Sequence, residues 1–342
     1  MNIISTWIYL DSPEESSEYP QVGKASHLLD FQRVYWRCVA VFFELSVQNN
    51  PNCRHILFSN ATADGLPEVD GLDLTDFLKR LNVELVTLPL TWQAPSGWHG
   101  KWRNQFYIFD ILAYVAGNEG NGFDEKTALL VLDSDCIVNR PLDALFGEIN
   151  KHGLMALPMG FDESYNINGL TRKDMQQLFG ELDGKIPERL PEYCGGEIFA
   201  ATMPTIQAIH AMAPAIWREM NERFAAGRAK FNEEAHFLSY CYHKLGGYAD
   251  VGGFVKRIWT SPKFTNVQDK DFDLPIWHLP AEKIGGIALI FRILTTKKNH
   301  KGKTEKWGAK ELGEMLGVPK RTKYLNLKHF LKHTWLYKLA TK

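Results

Sequence analysis

Residues 127–138 read TALLVLDSDCIV. The apolar run from Ala128 to Leu132 drives straight into Asp133-Ser134-Asp135, and the chain turns apolar again at Ile137 and Val138. A short, unbroken apolar run of this kind suits a strand buried on both faces of a parallel sheet. Ending it in two carboxylates is costly unless something positive meets them, because an unpaired buried charge loses its hydration. A metal cation or an Arg partner would remove that cost. Magnesium or manganese accepts few protein carboxylates and completes its shell with phosphate oxygens. The ordinary alternative is a loop or helix-cap pair satisfied by backbone amides. Spacing alone does not decide, since Asp269, Asp271 and Asp273 repeat D-x-D. Those three also imitate the start of a calcium loop. Their sixth position is Leu274 rather than Gly and their twelfth is Pro280 rather than Glu, so a solvated loop is expected there.

Working outward, residues 2–10 (NIISTWIYL), 54–59 (RHILFS) and 82–90 (NVELVTLPL) read as strands before this one. Residues 153–159, 192–202 and 247–253 read as strands after it. Leu28, Phe31, Tyr35, Val39, Phe42 and Phe43 recur at helical spacing. Further helices are expected at 72–81, about 101–116, 141–149, 172–179, 204–224 and 232–245. Residues 254–283 show no period and read as irregular. The alternation predicts an α/β fold: one Rossmann-like domain with a mostly parallel central sheet and helices on both faces. Ligands of such sheets bind at the carboxyl ends of strands, where Asp133 and Asp135 fall.

Composition sets outer bounds. Hydrophobic residues make up 45% and charged residues 23% of 342, the balance of a globular chain with a large core. The net charge of −1 conceals an asymmetry, because residues 292–342 hold 14 Lys or Arg against Glu305, Glu311 and Glu314. The chain therefore divides into a domain over 1–290 and a basic extension over 291–342. Within the extension, YLNLKHFLKHTWLYKL at 324–339 sets Leu, Phe and Trp among Lys and His. A basic amphipathic segment with Trp suits peripheral contact with an anionic membrane through 297–342; a helix docked on its own domain is the alternative. No nucleic-acid motif accompanies the charge. The five cysteines are scattered without C-x-x-C spacing, which fits reduced thiols in the cytoplasm. The first residues lack the basic start of a signal peptide, and IGGIALIFRIL at 284–294 is too short to span a bilayer.

LLVLDSDCIV resembles the D-x-D strand of GT-A fold glycosyltransferases, and is similar to the retaining lipopolysaccharide, glycogenin-type and galactosyltransferase enzymes. The resemblance covers roughly residues 1–285 through short motifs in order. It implies that Asp135 binds Mn2+ (or Mg2+), and that Asp133 touches the metal or the donor's ribose and sugar. In GKWRNQFYIFDIL, 100–112, it implies donor contacts for Lys101, Arg103 and Asp110. In YCGGEIFAA, 193–201, Gly195 and Gly196 take acceptor-side positions and Glu197 is a candidate catalytic carboxylate. In FNEEAHFLSYCYHKLGG, 231–247, Glu234 matches the candidate nucleophile and His236 an acceptor-side histidine. An ordinary helix start, capped by Asn232 with Glu233 and Glu234 on the dipole, explains the same residues. In IWHLPAEK, 276–283, His278 matches a third metal ligand and Lys283 a diphosphate contact.

The expected function is metal-dependent transfer of a sugar from a nucleotide-sugar, a UDP-sugar by resemblance, to a hydroxyl of a saccharide or glycolipid acceptor. Retention of configuration follows from the same resemblance, and the basic tail suits an enzyme of surface glycan biosynthesis at the inner face of the membrane. Two other readings stay open. One is a haloacid-dehalogenase-type phosphohydrolase, which also ends an apolar strand in D-x-D. The other is a non-catalytic glycan- or membrane-binding protein on the same fold.

Overall fold

The computed structural model describes residues 1–17, 22–23, 25–100, 104–118, 120, 122–261, 263–301 and 307–319. Its elements in order begin with β1 (Asn2–Ile8), α1 (Leu29–Asn49), β2 (Arg54–Ser59), β3 (Glu68–Val69), β4 (Leu72–Asp73), α2 (Leu74–Arg80) and β5 (Val83–Thr87). Next come α3 (Tyr107–Gly117), β6 (Ala128–Leu132), β7 (Cys136–Val138), α4 (Asp143–His152), β8 (Leu154–Ala156), α5 (Arg172–Asp183) and β9 (Ile198–Thr202). The last are α6 (Met203–Ala225), α7 (Glu234–Lys244), β10 (Ala249–Asp250), β11 (Val255–Arg257), β12 (Ile276–His278), α8 (Gly286–Lys301) and α9 (Ala309–Met315).

The central sheet has strand order β10-β8-β9-β6-β1-β2-β5. All its pairings are parallel except those of β9, which runs against both β6 and β8. The mostly parallel α/β architecture read from the sequence is therefore present. The strand that opened the reading lies in the middle of the sheet. Its alternate side chains face opposite ways: Ala128, Leu130 and Leu132 join the core beneath α1, α4 and α8, and Leu129 and Val131 join the core beneath α3, α6 and α7. Burial on both faces is why the run is apolar without alternation.

A second sheet of order β11-β12-β7 forms, two of its strands, β11 and β12, arising from residues that looked irregular in sequence. β12 pairs antiparallel with β7, so His278 lies opposite Cys136, and parallel with β11, so Arg257 lies beside His278. Three-residue strands are too short to show a period. The D-x-D triplet at 269–273 also departs from expectation. Asp271 is fully buried, accepting from Lys256 Nζ at 2.7 Å and from the Gln268 amide at 2.8 Å, while the Trp277 indole donates to its carbonyl.

The boundary expected at residue 290 runs through α8. Phe291, Trp307, Leu312, Leu316 and Val318 share the core of α1, and Gln48 on α1 exchanges two hydrogen bonds with the Trp307 backbone, each 3.0 Å. The first part of the basic extension is thus domain core. The amphipathic stretch 324–339 lies outside the described residues. Among the described residues no helix is long and apolar enough to cross a membrane. The five cysteines are unpaired, four of them buried.

Candidate metal centre and its cleft

β6 delivers Asp133 and Asp135 to the carboxyl end of the sheet, where the chain turns at once into β7. The second sheet brings His278 against that turn: Leu279 N donates to Asp135 O at 3.1 Å, and Ile258 N to His278 O at 2.8 Å. On the other side β9 begins antiparallel to β6, and Asp133 N donates to Glu197 O at 3.1 Å. Three stretches far apart in sequence are therefore locked backbone to backbone around one point.

There His278 Nε2 stands 3.5 Å from Asp133 Oδ2 and 3.4 Å from Asp135 Oδ2. One ligand atom from each of the three lies within 4.8 Å of the others. Two carboxylates and one imidazole are donors that could hold a divalent cation. Lys283 places its ammonium on Asp135 Oδ2 and lies 5.7 Å from the Tyr35 ring. Asp135 and His278 are buried, whereas the Asp133 side chain stays 38% exposed to the cleft.

Charge within the cluster is unevenly held. Burial opposes the charge on Asp135, but Lys283 and His278 outweigh it and hold the carboxyl well below the usual range. Burial pulls the His278 imidazole down, yet Asp135 and then Glu197 lift it to about 9. Asp133 is raised, first by burial. Glu197 would also be raised by burial, but Arg257 overrides that and brings it to about 2. Arg257 Nε donates to Glu197 Oε1 at 2.9 Å and its Nη2 pairs with Oε2.

A second carboxyl group enters from the start of α7. Glu233 accepts from Tyr193 Oη at 2.8 Å and from Asn168 Nδ2. Glu234 faces Gly196, where an added Cβ would collide with its Oε1; one on Gly195 would collide with Glu197 Oε2. The two glycines are therefore the space in which two carboxyls approach the backbone. Burial, then the neighbouring Glu233, raises the Glu234 carboxyl well above its ordinary value. Asn168 sits at φ +46°, in the left-handed region, with its carbonyl bonded by Asn232 at 2.9 Å. Asn232 spends its side chain there and on Lys230, so it is not the cap of α7, which has Glu233 at its N-cap.

All of this opens into a cleft of about 400 Å³. Trp7, Tyr35 and Trp259 give it aromatic walls, and Asn104, Gln105 and Gln32 add amides. Of the residues singled out by sequence, Asp133, Asp135, His278, Lys283, Glu197, Glu234 and Gly196 line it together. Asp110 does not: its carboxylate holds Thr91, accepting from the Thr91 amide at 3.0 Å and from its hydroxyl. His236 is fully buried behind Tyr193, with ring centroids 5.2 Å apart, and burial pushes it down to about 3. Lys101 and Arg103 lie outside the described residues. Sequence reasoning missed Arg257, Tyr193 and Asn168; Tyr193 opens the quoted stretch 193–201 without being singled out, and Arg257 and Asn168 belong to no motif.

No known protein family matches the chain, and no curated protein matches it either.

Proposed function

We propose that this cleft holds the diphosphate of a nucleotide-sugar through a divalent cation on Asp133, Asp135 and His278. In this reading the protein is a glycosyltransferase that moves the sugar, from a UDP-sugar by resemblance, to a hydroxyl of a saccharide or glycolipid acceptor with retention. One observation carries the reading. Asp133, Asp135 and His278 come from stretches 143 residues apart (Asp135 to His278) and converge to within 4.8 Å, with Lys283 and Glu234 in the same cleft.

A bound cation would neutralise charge that develops on the departing diphosphate. The chain's own groups supply the rest. Lys283 and Arg257 keep positive charge beside the carboxylates, ready for phosphate oxygens. Tyr35, Trp7 and Trp259 offer flat faces for a base or sugar ring. Glu197 is committed to Arg257 at both oxygens, which leaves Glu234 as the carboxyl for the anomeric centre. Burial and the neighbouring Glu233 raise its carboxyl well above the ordinary value, which disfavours the carboxylate that a nucleophile must be.

The test is a screen of UDP release from nucleotide-sugars with and without Mn2+. Mn2+-dependent release that falls more than about 100-fold in Asp135→Ala, with the far-UV circular dichroism unchanged, is the expected outcome. Full release in that variant sinks the assignment. So does release of phosphate from simple phosphomonoesters with no turnover of any nucleotide-sugar.

A further inference from the structure

Glu197 sits at the sheet edge of the cluster with an unusual set of partners. It is 1% exposed, and both its oxygens are engaged by the Arg257 guanidinium, at 2.9 Å for Nε to Oε1 and closer for Nη2 to Oε2. Oε1 also faces His278 Nδ1 at 3.4 Å. The opposite ring nitrogen, Nε2, is the one aimed between Asp133 and Asp135. Arg257 and His278 are register partners on β11 and β12, so the guanidinium and the ring are fixed by the same pair of strands. Glu197 is held in place on its own side by the Asp133 amide on its carbonyl.

From this we infer that Glu197 is a positioning residue for His278 and not a group that acts on the sugar, with Arg257 fixing Glu197 in that task. The inference rests on the metal reading above and deepens it. A histidine that ligates through Nε2 must carry its proton on Nδ1, and a carboxylate facing Nδ1 selects that tautomer and the ring orientation together. Arg257 makes the choice one-sided. Its two donors require an acceptor at both Glu197 oxygens, so the atom facing His278 is held as an acceptor too.

That logic predicts what an isosteric change does. In Glu197→Gln one of the two terminal atoms becomes an NH2. If the NH2 takes the Oε2 place, it meets Arg257 Nη2 donor against donor. If it takes the Oε1 place, it meets Arg257 Nε and also offers a hydrogen to His278 Nδ1, favouring the tautomer whose Nε2 carries the proton and cannot ligate. Either arrangement weakens the site without emptying any volume.

The experiment is Mn2+ titration of the full chain, free Mn2+ being counted by its electron paramagnetic resonance signal, on wild type, Glu197→Gln and Asp135→Ala. Pulsed resonance then reads the 14N coupling of one bound imidazole. The expected result is a 10–100-fold loss of Mn2+ affinity in Glu197→Gln with a weakened 14N coupling. Its cation-free melting temperature should stay close to wild type. Arg257→Lys, which keeps the charge but loses the fork, should lose several-fold less affinity than Glu197→Gln. Wild-type affinity and full 14N coupling in Glu197→Gln overturn the inference while leaving the metal reading intact. Absence of Mn2+ binding to the wild type, or undiminished binding in Asp135→Ala, overturns the metal reading itself, and the inference with it.

Discussion

At the scale of single residues, the site is governed by which carboxyl has a cation and which does not. Asp135 and Glu197 are each paired, with Lys283 and Arg257, and are held ionised against burial. Glu234 has its neighbours arranged the other way and is raised. Pushing acidities apart in this manner is how one cleft assigns different tasks to chemically equal groups. Gly196 is the position through which Glu234 can be moved without touching the cluster. Gly196→Ala would place its Cβ against Glu234 Oε1, the far end of a side chain that can rotate away. Stability should therefore fall by only about 1–2 kcal/mol, while the proposed sugar transfer should fall at least about tenfold because the carboxyl is displaced. Mn2+ affinity should be unchanged. The checks are a urea titration, an acceptor-dependent UDP-release assay and the Mn2+ titration; loss of Mn2+ binding would mean that Gly196 serves the metal cluster instead.

At the scale of elements, legibility in the sequence followed length. β6 announced itself because it is buried on both faces and so unbroken, and Asp133 and Asp135 were placed by its end. His278 and Lys283 were found through the resemblance, at their place late in the chain. The strands that carry His278 and Arg257 were invisible, because three residues give no alternation and β11 and β12 are separated by the irregular stretch 258–275. Arg257 belongs to no motif and becomes meaningful only as the register neighbour of His278. Asp271 misled in the opposite sense: Leu274 and Pro280 break the calcium-loop pattern and suggested a solvated loop, whereas Asp271 is buried and its partner Lys256 lies on β11. The contact of α1 with β2 contains a further group whose role shows only in three dimensions. His55 is buried, its Nδ1 3.1 Å from Cys53 O and its Nε2 3.0 Å from Ser46 Oγ. Burial lowers it from 6.5 to about 4, against the pull of those two bonds. The unfolded imidazole takes up a proton near pH 6.5 and the folded one only near 4. Its contribution is thus complete above pH 6.5 and is lost as the pH falls toward 4, by at most ~3 kcal/mol. Chemical denaturation of wild type and His55→Gln should give a stability gap at pH 7 that narrows by about 2–3 kcal/mol at pH 4.5. A gap independent of pH would show that His55 titrates alike in both states. His236, lowered to about 3, adds acid sensitivity of the same sign to both proteins and so cancels in the comparison.

At the scale of the whole molecule, charge and packing divide the chain at different places. The basic excess begins near Arg292, but the core continues to Val318. Ile287 and Phe291 of α8 share the core of α1 with Trp307, Leu312, Leu316 and Val318. A truncation that removed everything from residue 297 would therefore take core with it, and release of such a protein from membranes would say nothing about charge. The informative cut lies at residue 319. Removing 320–342 deletes Lys320, Arg321, Lys323, Lys328, Lys332, Lys338 and Lys342 together with the apolar residues of 324–339, and leaves every core residue among the described residues in place. The melting temperature should then stay within about 2 °C of the full chain. If the segment meets an anionic surface, each lost basic residue removes about 1 kcal/mol of attraction, and co-sedimentation with phosphatidylglycerol vesicles should fall at least tenfold. A second cut at 306 sharpens the contrast. It strips away Trp307, Leu312, Leu316 and Val318, each worth roughly 2 kcal/mol of apolar burial, out of the 5–15 kcal/mol of net stability that is typical of folded domains. That shorter protein should melt much earlier or fail to accumulate in folded form. Unchanged vesicle binding after the cut at 319 would return 320–342 to a role within the protein and remove the membrane from the proposal.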